Sequence, residues 1–111
     1  MEQRVEPIVD VTVTAPDVEW LAEFTRAIVG DRLAASGNIV RSIYRWQGNI
    51  EDRGEALVVF HTRQSLVPQL IQRVNAEHPY DTPQVLALSV VDANPAYQRW
   101  VIHETCEPND G

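Results

Sequence analysis

The residues of this chain best suited to chemistry are its nitrogen and sulfur donors, three histidines and one cysteine. His78 stands between Glu77 and Pro79-Tyr80, so an imidazole, a carboxylate and a phenol can converge on one short segment. Copper or zinc would accept such ligands. The competing role for His78 is a cation at a helix C-terminus, bonded to a last-turn carbonyl. His103 and Cys106 lie three residues apart, on one side of a helix if the helix persists that far, with Glu104 and Glu107 nearby. Such a pair falls short of the full tetrahedral set of a closed zinc site. The alternative is an exposed tail with a free thiol, although copies of the chain could bring ligands together at a symmetry axis.

His61 shares its side of a strand with Leu57 and Val59, which suits a histidine satisfied by a neighbour at an interface, with ligation as the other possibility. Tyr44 and Trp46 also point to one side, as a shelf for a ligand or as filler for a groove. Glu55 opens the strand opposite them and is the acidic candidate there, unless it only pairs with Arg45 or Arg53 at the surface. The chain contains no Gly-x-Ser-x-Gly elbow, no phosphate-cradling glycine loop and no His-Glu-x-x-His pair. It therefore reads as a binder and not as an enzyme.

The elements that must position these residues follow from periodicity. Ile8 to Thr14 alternates, with Val9, Val11 and Val13 on one side and Asp10, Thr12 and Thr14 on the other, which predicts a half-buried strand. Pro16-Asp17 breaks it and caps a helix whose Trp20, Phe24, Ala27 and Ile28 share a face and which should run to about Ala35. Ser36-Gly37-Asn38 then ends the helix, Ile39 to Gln47 makes the second strand, Gly48-Asn49 turns, and a polar stretch runs through Gly54. Ala56 to Thr62 is the third strand. Ser65 caps a second helix, which tolerates Pro68 in its first turn and carries Val67, Leu70, Ile71 and Val74 as its apolar stripe. That helix ends near His78, Gln84 to Val91 is the fourth strand, and Asn94-Pro95 starts a final helix with Tyr97, Trp100 and Val101 on one face. Residues beyond Thr105 read as frayed.

Strand, helix, strand, strand, helix, strand is the split βαβ order, an α+β sandwich of a four-stranded antiparallel sheet with two helices on one face and a terminal helix appended. Leu57-Val58-Val59-Phe60 and Val85-Leu86-Ala87-Leu88 are apolar at successive positions, as in strands covered on both faces. Two helices cover only one face. The other is expected to be buried by neighbouring subunits, or else by the terminal helix through Tyr97 and Trp100.

At 111 residues the chain fits a single domain, 1–111, with an ordered core of about 8–104. Its net charge of −7 repels phosphate backbones and anionic lipid heads and favours cations, so nucleic acid and membrane partners are not expected. One cysteine excludes an internal disulfide. Met1 to Pro7 shows no signal-peptide pattern and no apolar run is long enough to span a bilayer, so the expected location is cytoplasmic.

The run Ser42-Ile43-Tyr44-Arg45-Trp46-Gln47-Gly48 followed by Glu55, the run Thr62-Arg63-Gln64-Ser65, the run His78-Pro79-Tyr80-Asp81-Thr82-Pro83 and the pair Tyr97-x-x-Trp100 resemble the CutA divalent-ion tolerance family over about Val9 to Trp100. The resemblance implies a ferredoxin-like subunit in a tight homotrimer and a role in divalent-cation tolerance, chiefly copper. Tyr44, Trp46, Glu55, Tyr80 and Trp100 then become the expected lining of a cleft between subunits. His78, His103 and Cys106 are the expected ligands of Cu(II) or another divalent metal that folding does not require. Trimers of this shape also resemble the PII architecture, which makes a small-ligand sensor the alternative and a protein-interaction scaffold the next. This chain departs from the family at Ser36, where a cysteine is usual, at His61, where lysine is usual, and in a shorter stretch before Ser42. A serine hydroxyl is a poor ligand for soft copper compared with a thiolate.

Overall fold

In the computed structural model, residues 6–52 and 55–108 are described. Strand β1 (Ile8–Ala15) buries Val9, Val11, Val13 and Ala15 on one face, as its alternation requires. Helix α1 (Val18–Gly30) starts where Asp17 accepts a 2.9 Å hydrogen bond from the Glu19 N–H, and it lays Leu21, Phe24 and Ile28 on the sheet.

The first departure from expectation is the end of α1, five residues before Ala35. The Arg32 N–H donates to the Val29 carbonyl and the Leu33 N–H to the Ile28 carbonyl, a Schellman closure with Arg32 left-handed at φ 62°. A glycine usually takes that place. Here the Arg32 side chain is held instead by the carbonyls of His103 and Glu104, at 2.7 and 3.1 Å.

The second strand is displaced as a consequence. Strand β2 occupies Ser36–Arg41, on residues expected to end the helix. Gly37 is not a terminator but a point of close approach: a Cβ there would stand 2.7 Å from the Thr25 side chain of α1. Tyr44–Trp46 (β3) pairs with Asn49–Glu51 (β4) in a separate hairpin. Its turn residues are Gln47 and Gly48, both at positive φ, one position earlier than expected. Gly54, the expected end of the following polar stretch, and Met1 to Val5 of the leader reading lie outside the described residues.

Strand β5 (Ala56–Arg63) falls where predicted. Ser65 does not cap the next helix. A single 3-10 turn, Gln64–Leu66, leads into α2 (Val67–Glu77), and the Ser65 N–H donates to the Glu6 carboxylate at 2.6 Å. Leu70 and Val74 are the buried stripe of α2. Strand β6 (Val85–Ser89) and helix α3 (Pro95–Glu104) complete the chain. The sheet order is β2-β5-β1-β6 with every pairing antiparallel, and α1 and α2 share one core with it. This is the ferredoxin-like α+β sandwich.

The opposite sheet face is only partly covered. Helix α3 reaches one end of it, where Tyr97 meets the His61 ring at 6.2 Å and Ile102 and Thr105 receive Arg63. Val40, Leu86 and Leu88 stay 49, 50 and 49% exposed on that face. The tail beyond Thr105 is held, contrary to expectation: Thr105 is buried and the Cys106 N–H donates to the Arg32 carbonyl at 2.9 Å.

Gly37→Val should lower the unfolding free energy by about 1–3 kcal/mol, the range for overpacking a closed contact, read as a lower urea midpoint at unchanged slope. An unchanged midpoint would show that α1 can retreat from β2 without loss.

Candidate functional site

His78 follows α2, and its ring lies against Trp20 at 5.2 Å and Tyr80 at 5.1 Å. His78 is 8% exposed. Its Nε2 donates to the Thr14 carbonyl at 2.7 Å, and its Nδ1 accepts from the Tyr80 N–H at 3.0 Å. Both nitrogens are therefore committed to backbone groups, as in the neutral Nε2–H tautomer. The expectation of a metal ligand meets a physical obstacle here, because an ion would have to displace a main-chain partner inside a buried corner. The other expectation, a cation on the last turn, is met only by the backbone: the His78 N–H bonds the Val74 carbonyl, while the ring turns away to β1.

Helix α3 stops at Glu104 and Thr105 is extended, so His103 and Cys106 do not share a helical face. The His103 side chain is 85% exposed, with the Glu104 carboxylate at 3.8 Å. Cys106 is half-buried at the wall of a cavity of about 540 Å³ that Leu33 and Arg73 also line. The Arg73 guanidinium is raised above its ordinary pKa by the hydrogen bonds it donates to the carboxylates of Asp31 and Glu77. Ala76, two residues before His78, lines the same cavity, but the His78 ring is turned away to the Thr14 carbonyl of β1. Among the described residues, no three His, Cys, Asp or Glu side chains are grouped so as to hold a metal ion.

The expected cleft residues fall into three places within the chain. Tyr44, Trp46 and Glu55 do come together, around a shallow depression of about 330 Å³ beside the hairpin. Tyr80 belongs with His78, and Trp100 packs on Tyr97 at 5.6 Å on α3. Arg53, one of the two partners considered for Glu55, lies outside the described residues.

One constellation was not assembled from the sequence. His61 Nδ1 lies 2.7 Å from Asp10 Oδ1, and its Nε2 lies 3.0 Å from Asn38 Nδ2. The three residues come from β5, β1 and β2, on the sheet face away from α1 and α2. The sequence did show Asp10 on the far side of β1 and His61 as a residue awaiting a neighbour. What it lacked was the register that sets Asp10 opposite His61 and Ser36 opposite the same histidine.

Fold and site together define a class: a ferredoxin-like α+β domain with one sheet face only partly covered and with its candidate ligands dispersed. Residues 9–104 match the family described as CutA1 divalent ion tolerance protein. The chain belongs to that family. It is 43% identical over 98 residues to mouse Protein CutA, covering 86% of this chain and 55% of the mouse one. It is 39% identical to the divalent-cation tolerance protein CutA of Thermus thermophilus, covering 86% and 95% of the two chains. The crystal structure of CutA1 from Oryza sativa superposes with a TM-score of 0.79 at 35% identity, covering 93% of this chain and 97% of that one. The chain thus spans about half the length of the mouse relative and nearly all of the bacterial one.

Replacing His78 by Phe keeps the ring contacts and removes both hydrogen bonds, leaving the Thr14 carbonyl and the Tyr80 N–H without their partner. We expect a loss of about 1–3 kcal/mol in urea unfolding. Unchanged stability would mean that water replaces the imidazole there without cost.

Proposed function

We propose that this chain works as a homotrimer that binds divalent cations, copper among them, and contributes to metal tolerance in the cytoplasm by binding and not by catalysis. Membership of the divalent ion tolerance family over residues 9–104 carries this reading. The net charge of −7 supports it, because an acidic surface raises the local concentration of cations. Assembly is supported by the half-exposed Val40, Leu86 and Leu88, an apolar surface that a second subunit would remove from water. With the ligands dispersed over one subunit, binding in a trimer would draw on residues brought together between copies, and His78, His103 and Cys106 enter this proposal only on those terms. No helix among the described residues is long and apolar enough to cross a membrane.

A second reading has one observation in its favour. The depression among Tyr44, Trp46 and Glu55 would suit a small-ligand sensor, its two aromatic rings and one carboxylate offering apolar contact and a fixed charge.

Light scattering of the full chain should give three subunits per particle, and Leu88→Arg should shift it to lower mass by burying a charge at the interface. Calorimetric titration of the metal-free protein with Cu(II) and Zn(II) should show saturable micromolar binding. A monomeric parent would overturn the assembly, and a trimer that ignores both metals would leave the sensor as the better reading.

A further inference from the structure

We propose that the cavity between the end of α1, helix α2 and the segment after α3 binds a zwitterion on a short apolar body, a free α-amino acid with an aliphatic side chain. Its volume of about 540 Å³ is that of a small-molecule pocket. Leu33 and Cys106, both packed with the core, give it an apolar floor. Arg73 brings a positive charge to the wall, and Asp31 and Glu107 bring negative ones. A wall of both signs opposes a simple anion and favours a ligand that carries both charges. The cavity belongs to the helix layer, so it lies apart from the sheet face of Val40, Leu86 and Leu88 that assembly would cover. It shares no residue with the depression at Tyr44, Trp46 and Glu55, and the inference does not rest on the metal reading.

The Arg73 guanidinium is set in place before any ligand arrives. Its Nη1 donates to Asp31 at 2.8 Å and its Nε to Glu77 at 2.6 Å, and among the described residues no hydrogen bond engages Nη2. Two anchors fix the plane of the fork, and its Nη2 end is the receptor for a carboxylate. The ammonium end falls to the acids. Asp31 caps the C-terminus of α1, where the helix dipole adds negative potential, and the Glu107 carboxylate is 88% exposed with Arg63 at 3.8 Å. Gln72, the residue before Arg73 on α2, offers a carboxamide that can donate to one end of the ligand or accept from the other. Charges this exposed are screened by water, so binding is weak and readily reversible.

The test uses the full chain, with Cys106, its single cysteine, as the reporter. The rate of thiol alkylation by iodoacetamide is measured with L-leucine, with isocaproate, which lacks the amine, and with isoamylamine, which lacks the carboxylate, and calorimetry follows the same titrations. L-Leucine should protect the thiol saturably, slowing alkylation roughly tenfold at ten times its dissociation constant, as mass action requires if the bound form does not react. Neither analogue should protect at that concentration. Arg73→Gln should weaken L-leucine binding several-fold, and Ala76→Trp, a change at an exposed position of α2 on the cavity wall, should fill the space and abolish the heat of binding. Both substitutions lie outside the core, and unchanged urea midpoints would show that the variants fold. Neither protection nor heat from L-leucine at about 10 mM would overturn the site. Equal protection by isoamylamine would overturn the zwitterion assignment and the role of Arg73. L-Leucine binding that survives Ala76→Trp would overturn the placement in this cavity.

Discussion

The arrangement of the far sheet face depends on one buried cation, Arg63. It is 6% exposed at the end of β5, and its guanidinium donates to Thr105 Oγ1 at 2.9 Å and to the carbonyls of Ile102 and Thr105 at 2.6 and 3.0 Å. The carboxylates of Glu6 and Glu107 stand at 3.6 and 3.8 Å. Taking a guanidinium out of water costs several kcal/mol unless its donors are met, so the chain end has to supply acceptors. The last turn of α3 supplies them, and this anchors α3 across one end of the sheet. Tyr97 is thereby placed against His61, and the final carbonyls of α3 reach Arg32. The left-handed Arg32, the early end of α1 and the position of β2 all follow from that docking.

A second constraint is the composition of the strands. β5 and β6 carry apolar residues on both faces, while α1 and α2 cover only one, and α3 is held at one end by Arg63. The residual surface around Val40, Leu86 and Leu88, together with the exposed Ile43, Trp46 and Ile50 of the hairpin region, is unfavourable to leave in water at about 25 cal/mol per Å². The Cα radius of gyration of 15.3 Å exceeds the roughly 13 Å typical of a compact domain of this length. The hairpin adds length without adding core, because β3 and β4 hydrogen-bond in a sheet of their own. The half-exposed apolar face is the physical support for the assembly proposed above.

How much of this was legible in the sequence depended on whether the signal was local. β1, β5, α2 and α3 were read nearly to the residue because alternation or a helical stripe announces them. The end of α1 was misread because a left-handed arginine has no local signature, its stabilisation coming from carbonyls some seventy residues away. Gly37 was read as a breaker because a glycine that admits a neighbouring helix looks the same in sequence as one that turns the chain. Of the site, the family motifs pointed to Tyr44, Trp46 and Glu55, which do converge, whereas the Asp10–His61 pair needed a register between strands fifty residues apart.

The two histidines show why counting partners is a poor guide to ligand chemistry. His78 and His61 each have both ring nitrogens within hydrogen-bond distance of a partner. For His78 those partners are a carbonyl and an N–H of the main chain, fixed by β1 and by the turn after α2, so freeing either nitrogen leaves a buried backbone group unpaired at a cost of about 1–3 kcal/mol. For His61 they are side chains: a carboxylate, whose bond to Nδ1 strengthens Nε2 as a donor to metal, and an amide that offers oxygen or nitrogen according to its rotation. The first histidine is therefore part of the fold, held where the motif places it. The second is held only by the side chains of Asp10 and Asn38 on neighbouring strands, so the two imidazoles differ in what fixes them, main chain in one case and side chains in the other.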